Sequence, residues 1–338
     1  NEIKLLITKK TKAILPVHML GVPADMDAIC KIAKKNKIKI LEDNCEALGG
    51  KYRNKFLGTI GDVGVASLDF GKIITCGEGG LINTNSKKID TFAREYHDHG
   101  HQNNPNKTRG TDTKRIYGFN YRMTEIQAVI CKEQLKKLNL IISQNKIRYN
   151  ILNKIIGKSV EMRKIPIGSD LIYDTFIFFI KNKKLREKII NLLNKLKFGT
   201  KNLPDAIEWH CAFYWEHALT KKCINRSIKS KNILKNSIAI PIQLKKKPNE
   251  YKILANSLKN ACVKANLYRS ATVYHHRFEI IPSLSKLFKG ENTLKVNIDP
   301  NFGHVNSVHS WIKTMTYILY YSIDFIFGWF VLFKSKLK

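Results

Sequence analysis

Acidic residues are scarce in this 338-residue chain: 27 Asp and Glu stand against 59 Lys and Arg, for a formal charge of +32. A surplus of that size suits a phosphate- or nucleotide-bearing ligand, an acidic lipid surface or nucleic acid. The basic residues are spread along the chain instead of gathered into one patch. No nucleic-acid recognition motif occurs, so nucleic acid is not expected as a partner. CxxC pairs are also lacking. The seven cysteines (Cys30, Cys45, Cys76, Cys131, Cys211, Cys223 and Cys262) are odd in number. That excludes a disulfide scaffold and a zinc ribbon and fits a reducing cytoplasm. The first residues, Asn1-Glu2-Ile3-Lys4, hold neither an initiator Met nor a signal peptide. Internal repeats, a Ser-His-Asp order and a Gly-Lys-Ser/Thr phosphate loop are absent too.

What is present is a hydrophobic fraction of 43%, enough for a sizeable core and for two domains. The first two-fifths of the chain alternates short apolar runs with helical patterns. Residues 12–17 read as a buried strand running into His18. Asp25 caps a helix to about Lys35, with Met26, Ile29, Cys30 and Ala33 on one face. Residues 38–41 form the next strand, with Glu42-Asp43 at its C-terminal end. Residues 63–70 and 81–84 are further strands, joined through Gly77-Glu78-Gly79-Gly80, and Ser86 or Asp90 starts a helix to about His97. The alternation predicts an α/β unit with a mainly parallel sheet, in which ligands bind beyond the carboxyl ends of the strands. Asp43 and the loop of Lys72 fall there.

Residues 97–117 read as a polar loop. Thr124 and Gln127 then fit a capping box that opens a helix to about Ile156 and bridges to a second domain. Strand and helix signals alternate again over 173–180, 184–196, 238–242 and 251–262, which predicts a smaller α+β domain. The expected division is 1–140, 141–263 and a tail, 264–338. Within the tail, residues 314–333 are mostly apolar or aromatic and long enough to cross a bilayer, but Asp324 interrupts them. The stretch is either a membrane helix, with Lys334, Lys336 and Lys338 on the cytoplasmic side, or a buried or interfacial helix.

Few residues stand out chemically, and each has a plainer reading. Lys72 follows Ser67-Leu68-Asp69-Phe70-Gly71 and precedes the Gly-rich turn. A lysine emerging there can reach a ligand crowded against the backbone, and desolvation would free its amine to attack. Taken alone it is one more solvated charge. Asp43 at a strand end needs a cationic partner if buried, or is a cap or structural ion pair. Glu46 is close enough to share that site. Ser67, five residues before Lys72, either donates to a phosphate or is an ordinary strand serine, and Asn120, just before a helix, is otherwise a turn residue. The cluster His97, Asp98, His99 and His101 matches no zinc spacing and reads as a solvated loop, so no metal is expected. His210 and His217, near Trp209 and Trp215, either line a substrate pocket or pack, and packing is the plainer expectation.

Taken together, these stretches resemble the DegT/DnrJ-type family of pyridoxal-phosphate sugar aminotransferases over about residues 5 to 262. The resemblance rests on Thr11-Lys12-Ala13-Ile14-Leu15-Pro16-Val17-His18, Glu42-Asp43-Asn44-Cys45-Glu46-Ala47-Leu48-Gly49 and Gly58-Thr59-Ile60-Gly61-Asp62-Val63. It rests also on residues 67–72 running into Gly77-Glu78-Gly79-Gly80, and on Gly118-Phe119-Asn120-Tyr121-Arg122-Met123-Thr124-Glu125. It implies the fold type I large domain, here incomplete, a homodimer with sites at the subunit interface, and transamination of a keto or aldehyde sugar for surface polysaccharide, with glutamate as amino donor. By the same resemblance Lys72 is the Schiff-base lysine and Asp43 partners the ring nitrogen. Ser67 contacts the phosphate, and Asn120 reaches the phosphate of the neighbouring subunit's cofactor.

Departures bear on each implication. Glu46 stands where many members have Gln near the cofactor's phenolic oxygen. A related branch that removes a sugar hydroxyl has His in place of the lysine, and Lys72 argues against it. Segments 42–46 and 96–115 are similar to transaminases that make 8-amino-3,8-dideoxy-octulosonate, while a nucleotide-linked sugar is the other acceptor. The family's N-terminal segment, which supplies a helix N-terminus for the phosphate, has no counterpart here, and the tail has none in the family. The sequence therefore leaves open an inactive fragment or a membrane-associated, non-catalytic protein.

Overall fold

The computed structural model describes residues 2–277 apart from 109, 112, 114 and 115, with side chains described as far as Val263. Residues Asn1–Cys262 make one compact unit. It begins with α1 (Glu2–Leu6), β1 (Ala13–Ile14), α2 (Met26–Asn36), β2 (Lys39–Asp43), β3 (Lys51–Tyr52), β4 (Lys55–Phe56), β5 (Val63–Ser67), β6 (Gly80–Asn83) and α3 (Lys87–His97). The first sheet has the order β1-β2-β5-β6. Strands β1, β2 and β5 run parallel, whereas β6 returns antiparallel to β5, with Ser67 opposite Gly80. The sequence led to a mainly parallel sheet. The edge strand differs because residues 68–79 hold no crossover helix, and parallel pairing needs one.

Local chemistry explains the boundaries. Strand β1 is shorter than the expected 12–17 because Pro16 has no N–H to give to a ladder. Pairing resumes through a bridge from Val17 to Asp43, with the Asp43 N–H donating to the Pro16 carbonyl (2.9 Å). Strand β5 stops at Ser67, short of the expected Phe70, because the Asp69 carboxylate accepts from the Gly71 N–H (2.9 Å) and turns the chain. Phe70 is left exposed. Helix α2 starts where expected, its Asp25 Oδ1 accepting from the Ala28 N–H (3.2 Å). Its buried face is Met26, Ile29, Ile32 and Ala33, with Cys30 only half-buried, and it packs on Ile40, Ala47, Tyr52 and Leu57.

Helix α4 (Glu125–Ile156) opens with the capping box the sequence predicts. The Gln127 N–H donates to Thr124 Oγ1 (3.3 Å) and the Thr124 N–H to Gln127 Oε1 (3.0 Å). At 1.5 Å per residue it spans about 48 Å. Cys131, Leu138 and Ile141 pack on Leu68, Ile74 and Cys76, while Tyr149, Leu152 and Ile156 enter a different core.

The rest of the described chain forms β7 (Glu161–Met162), β8 (Ser169–Asp170), β9 (Thr175–Phe179), α5 (Lys183–Lys195), α6 (Ile207–His210), α7 (Lys221–Arg226), α8 (Ile228–Leu234), β10 (Ser237–Pro241) and α9 (Pro248–Arg277), of which β7, β9, α5, β10 and α9 build that second core. Antiparallel strands in the order β10-β9-β7 bury Phe176, Phe178, Ile238 and Ile240 against Ile189, Leu193, Tyr251 and Leu254. A third sheet, β4-β3-β8, pairs Tyr52 with Ser169 and so ties the early chain to the later one. Among the described residues no helix is long and apolar enough to cross a membrane. The expected helix at 314–333 lies outside the described residues.

Candidate active site

The carboxyl ends of β1, β2 and β5 deliver His18, Asp43 and Ser67 to one edge of the sheet. One of the three, His18, belongs to a buried pair the sequence did not single out. His18 and Glu42 are both fully buried, with Nε2 3.0 Å from Oε2. The Ala24 N–H donates to His18 Nδ1 (3.0 Å), so the ring proton sits on Nε2 and the imidazole is neutral. Glu42 also accepts from the N–H groups of Gly58 (2.9 Å), Ile60 (2.6 Å) and Gly61 (2.5 Å). Burial by itself raises the Glu42 pKa. The His18 bond and the three backbone donors outweigh it and hold the carboxyl below its ordinary value. His18 in turn fixes Asp43, because its N–H donates to the Asp43 carbonyl (2.9 Å).

The charges of Asp43 and Glu46, on the same short turn as Cys45, and of Lys72, distant in sequence, all act on the half-buried Cys45 thiol. Burial and the Asp43 carboxylate push that thiol up to about 12. Lys72 pulls it the other way, and Glu46 adds to the rise. Asp43 Oδ1 accepts from the Cys45 N–H (3.0 Å). Lys72 is held by a loop closed on the buried Leu68. The Leu68 N–H donates to Gly79 O (2.8 Å), the Cys76 N–H to Leu68 O (3.0 Å), and the Lys72 N–H to Asp69 O (3.1 Å). Both Asp43 and Lys72 are half-buried, and neither has an ion pair among the described residues. Two opposite charges that both act on one sulfur, and that have no ion pair among the described residues, can each answer a ligand. Such a donor set fits a cofactor with a cationic ring nitrogen and an amine-reactive carbon. Ser67, also half-buried, accepts at Oγ from the Asp69 N–H (3.3 Å) and keeps its hydroxyl proton for another acceptor.

Glu46 is engaged on both oxygens. The Leu20 N–H donates to Oε2 (2.9 Å) and Asn202 Nδ2 to Oε1 (3.1 Å). Arg163 lies nearby and donates to the Met19 carbonyl (2.7 Å). Burial lowers the Arg163 pKa, with Tyr149 and Glu46 opposing the drop. Sequence reasoning missed Arg163, Asn202 and Cys45. Only Cys45, inside the Glu42–Glu46 motif, carried a local signal.

Asn120 stands apart from this group. It is exposed, bridged to Asp98 through the backbone, and flanked by Phe119 and Tyr121, whose rings stack at 5.6 Å. Tyr96 and Phe92 extend this aromatic surface (Tyr96 to Phe119 5.6 Å, Phe92 to Tyr96 5.7 Å), and all four rings are substantially exposed. In the neighbouring loop His97 Nδ1 lies 2.6 Å from Arg94 O, and Asp98 pairs with Arg122. Among the described residues no group of three His, Cys, Asp or Glu side chains is placed to hold a metal. His210 and His217 are exposed, contrary to the packing expected of them, and Trp209 is 82% exposed. In the one-turn helix α6 and the turn after it Cys211 is buried and Ile207 is half-buried against the Leu20–Leu203 cluster, which leaves the histidines on the outer side.

A family model, the DegT/DnrJ/EryC1/StrS aminotransferase family, matches residues 1–259. The chain is 38% identical over 169 residues to a GDP-perosamine synthase of Escherichia coli O157:H7, covering 48% of this chain and 44% of that one. It is 42% identical over 143 residues to a GDP-perosamine synthase of Caulobacter vibrioides, covering 41% and 36%. The chain thus spans less than half the length of these two relatives. Among solved structures, an aminotransferase from Psychrobacter cryohalolentis superposes with a TM-score of 0.68 at 26% identity, over 78% of this chain and 71% of that one.

Proposed function

We propose, on the premise that the chain belongs to the DegT/DnrJ/EryC1/StrS aminotransferase family, that it transfers an amino group to a keto or aldehyde carbon of a sugar in surface-polysaccharide synthesis. Glutamate is the donor and pyridoxal 5'-phosphate the cofactor. One observation carries this reading: Asp43 and Lys72, half-buried and without an ion pair among the described residues, both act on the Cys45 thiol at the carboxyl edge of the sheet. The names of the two GDP-perosamine synthases favour a nucleotide-linked acceptor, which also suits the charge of +32. An octulosonate is the other acceptor that fits.

When bound, the cofactor supplies an amine-reactive aldehyde and an electron-accepting ring. The protein's part follows from its own groups. Asp43 holds a proton at the ring nitrogen. Lys72 Nζ anchors the aldehyde and then serves as the base that moves the proton at the substrate carbon. Ser67 Oγ donates to the phosphate. Asn120 reaches the phosphate in a second subunit, and the exposed rings of Phe92, Tyr96, Phe119 and Tyr121 around it are the surface a second copy would cover. Lys72 supports amino transfer over removal of a hydroxyl. Seven free thiols suit a cytoplasmic setting.

The test is the visible absorbance of the chain mixed with pyridoxal phosphate, followed by borohydride and peptide mapping. The expected label is on the Lys72 peptide and is lost in Lys72→Ala. Asp43→Ala should bind the cofactor about tenfold to a hundredfold more weakly. No label, or one spread over surface lysines and unchanged in Lys72→Ala, overturns the assignment.

A further inference from the structure

Two turns from distant parts of the chain meet at Glu46. One is Met19–Gly21, whose Leu20 and Gly21 both have left-handed backbones (φ 52° and 75°). A Cβ on Gly21 would stand 2.6 Å from Asp174 Oδ1, so this turn approaches the second core as closely as a glycine allows. The other turn is 201–203, where Asn202 is also left-handed (φ 62°). Lys201 Nζ pairs with Asp174 Oδ2 (2.5 Å), and the backbone of 201–203 bonds with Ala239 in β10 (2.8 and 3.1 Å). Leu20 and Leu203 are buried in one apolar cluster. The Glu46 carboxylate lies between the turns and takes a donor from each. A carboxylate suits this position because both groups pointing at it are donors, and it has acceptors only.

We propose that Glu46 is a positioning residue, a latch that holds the 201–203 turn, and with it the aromatic stretch 207–215, against the edge of the site carrying Asp43 and Lys72. Glu46 leaves the turn that Asp43 begins, and its charge is felt at Cys45 together with those of Asp43 and Lys72. The stretch it anchors presents Trp209 and His210 to solvent, side chains suited to the face and hydroxyls of a sugar. The latch stands on its own geometry. Only its consequence for substrate rests on the proposed function.

The experiment is a reciprocal rescue. Asn202→Asp sets a second carboxylate against Glu46, so amide hydrogen exchange at Leu20 and across 200–206 should quicken about tenfold or more. With cofactor added, the KM for a nucleotide-linked keto sugar should rise about tenfold while kcat moves less than about threefold and the borohydride label stays on Lys72. Adding Glu46→Gln to Asn202→Asp should restore slow exchange and the KM. The new amide then donates to the new carboxylate while its oxygen still accepts from Leu20. Exchange unchanged by Asn202→Asp, or a double variant as exposed as the single one, overturns the latch. Since exchange is read without cofactor, a wild-type chain that takes no label on Lys72 removes the proposed function and leaves the latch to be judged by exchange alone.

Discussion

His18 and Glu42 form a fully buried pair, Nε2 to Oε2 at 3.0 Å, in which the histidine is neutral and the glutamate carries the charge. The charge is stabilised by converging donors, one from the ring and three from the turn at 58–61. Because His18 and Asp43 also share a backbone hydrogen bond, the pair sets the strand end on which the candidate site is built.

Acid stability should report this pair. The folded-state pKa of Glu42 is lowered from 4.5, so its contribution is present above that value and is lost as pH falls below it through the folded value. Urea midpoints measured from pH 7 to pH 3 should fall on the acid side. Glu42→Gln should cost about 3 kcal/mol at pH 7, because its amide would face backbone donors, and should flatten the acid limb. An unchanged acid limb in the variant would show that Glu42 is not its source.

Two glycines with similar backbones should respond differently to alanine. Gly21 and Gly77 both lie in the left-handed region (φ 75° and 90°), but a Cβ at Gly77 meets nothing within 4 Å. Gly77→Ala should cost only the conformational penalty, about 1–2 kcal/mol. Gly21→Ala adds the collision with Asp174 and Ile172 and should cost about 3 kcal/mol or more. Equal losses in chemical denaturation would mean the approach of the Met19–Gly21 turn to the second core is looser than described.

Thiol reactivity offers a chemical check on the candidate site. With its pKa pushed up to about 12, Cys45 stays protonated at pH 8 and should resist iodoacetamide, whereas the exposed Cys223 should react. Lys72→Ala removes a charge that opposes the rise and cannot speed the reaction through the thiol's charge. Peptide mapping that finds Cys45 alkylated as fast as Cys223 would contradict its burial beside Asp43.

The sequence by itself determined what local pattern can determine. Strand β2 with Asp43 at its end, the Asp25 cap and the Thr124–Gln127 capping box all rest on residues within a few positions of one another. Their hydrogen bonds and apolar periods are written in consecutive residues. Lys72 and Asp43 were legible as site candidates for the same reason, one before a Gly-rich turn and the other at a strand end.

Tertiary structure decided everything that needed two distant segments. The hairpin of β3 and β4 has two-residue strands and an Arg53-Asn54 turn with positive φ, too short for an alternation to show, and it is completed only by pairing with β8. Glu46 read as a residue near a cofactor, yet its partner Asn202 lies 156 positions away. The neutral state of His18 depends on the N–H of Ala24 reaching its ring. A side chain's charge state and partners follow from which dipoles and charges surround it once buried, and packing, not neighbouring sequence, brings those groups together.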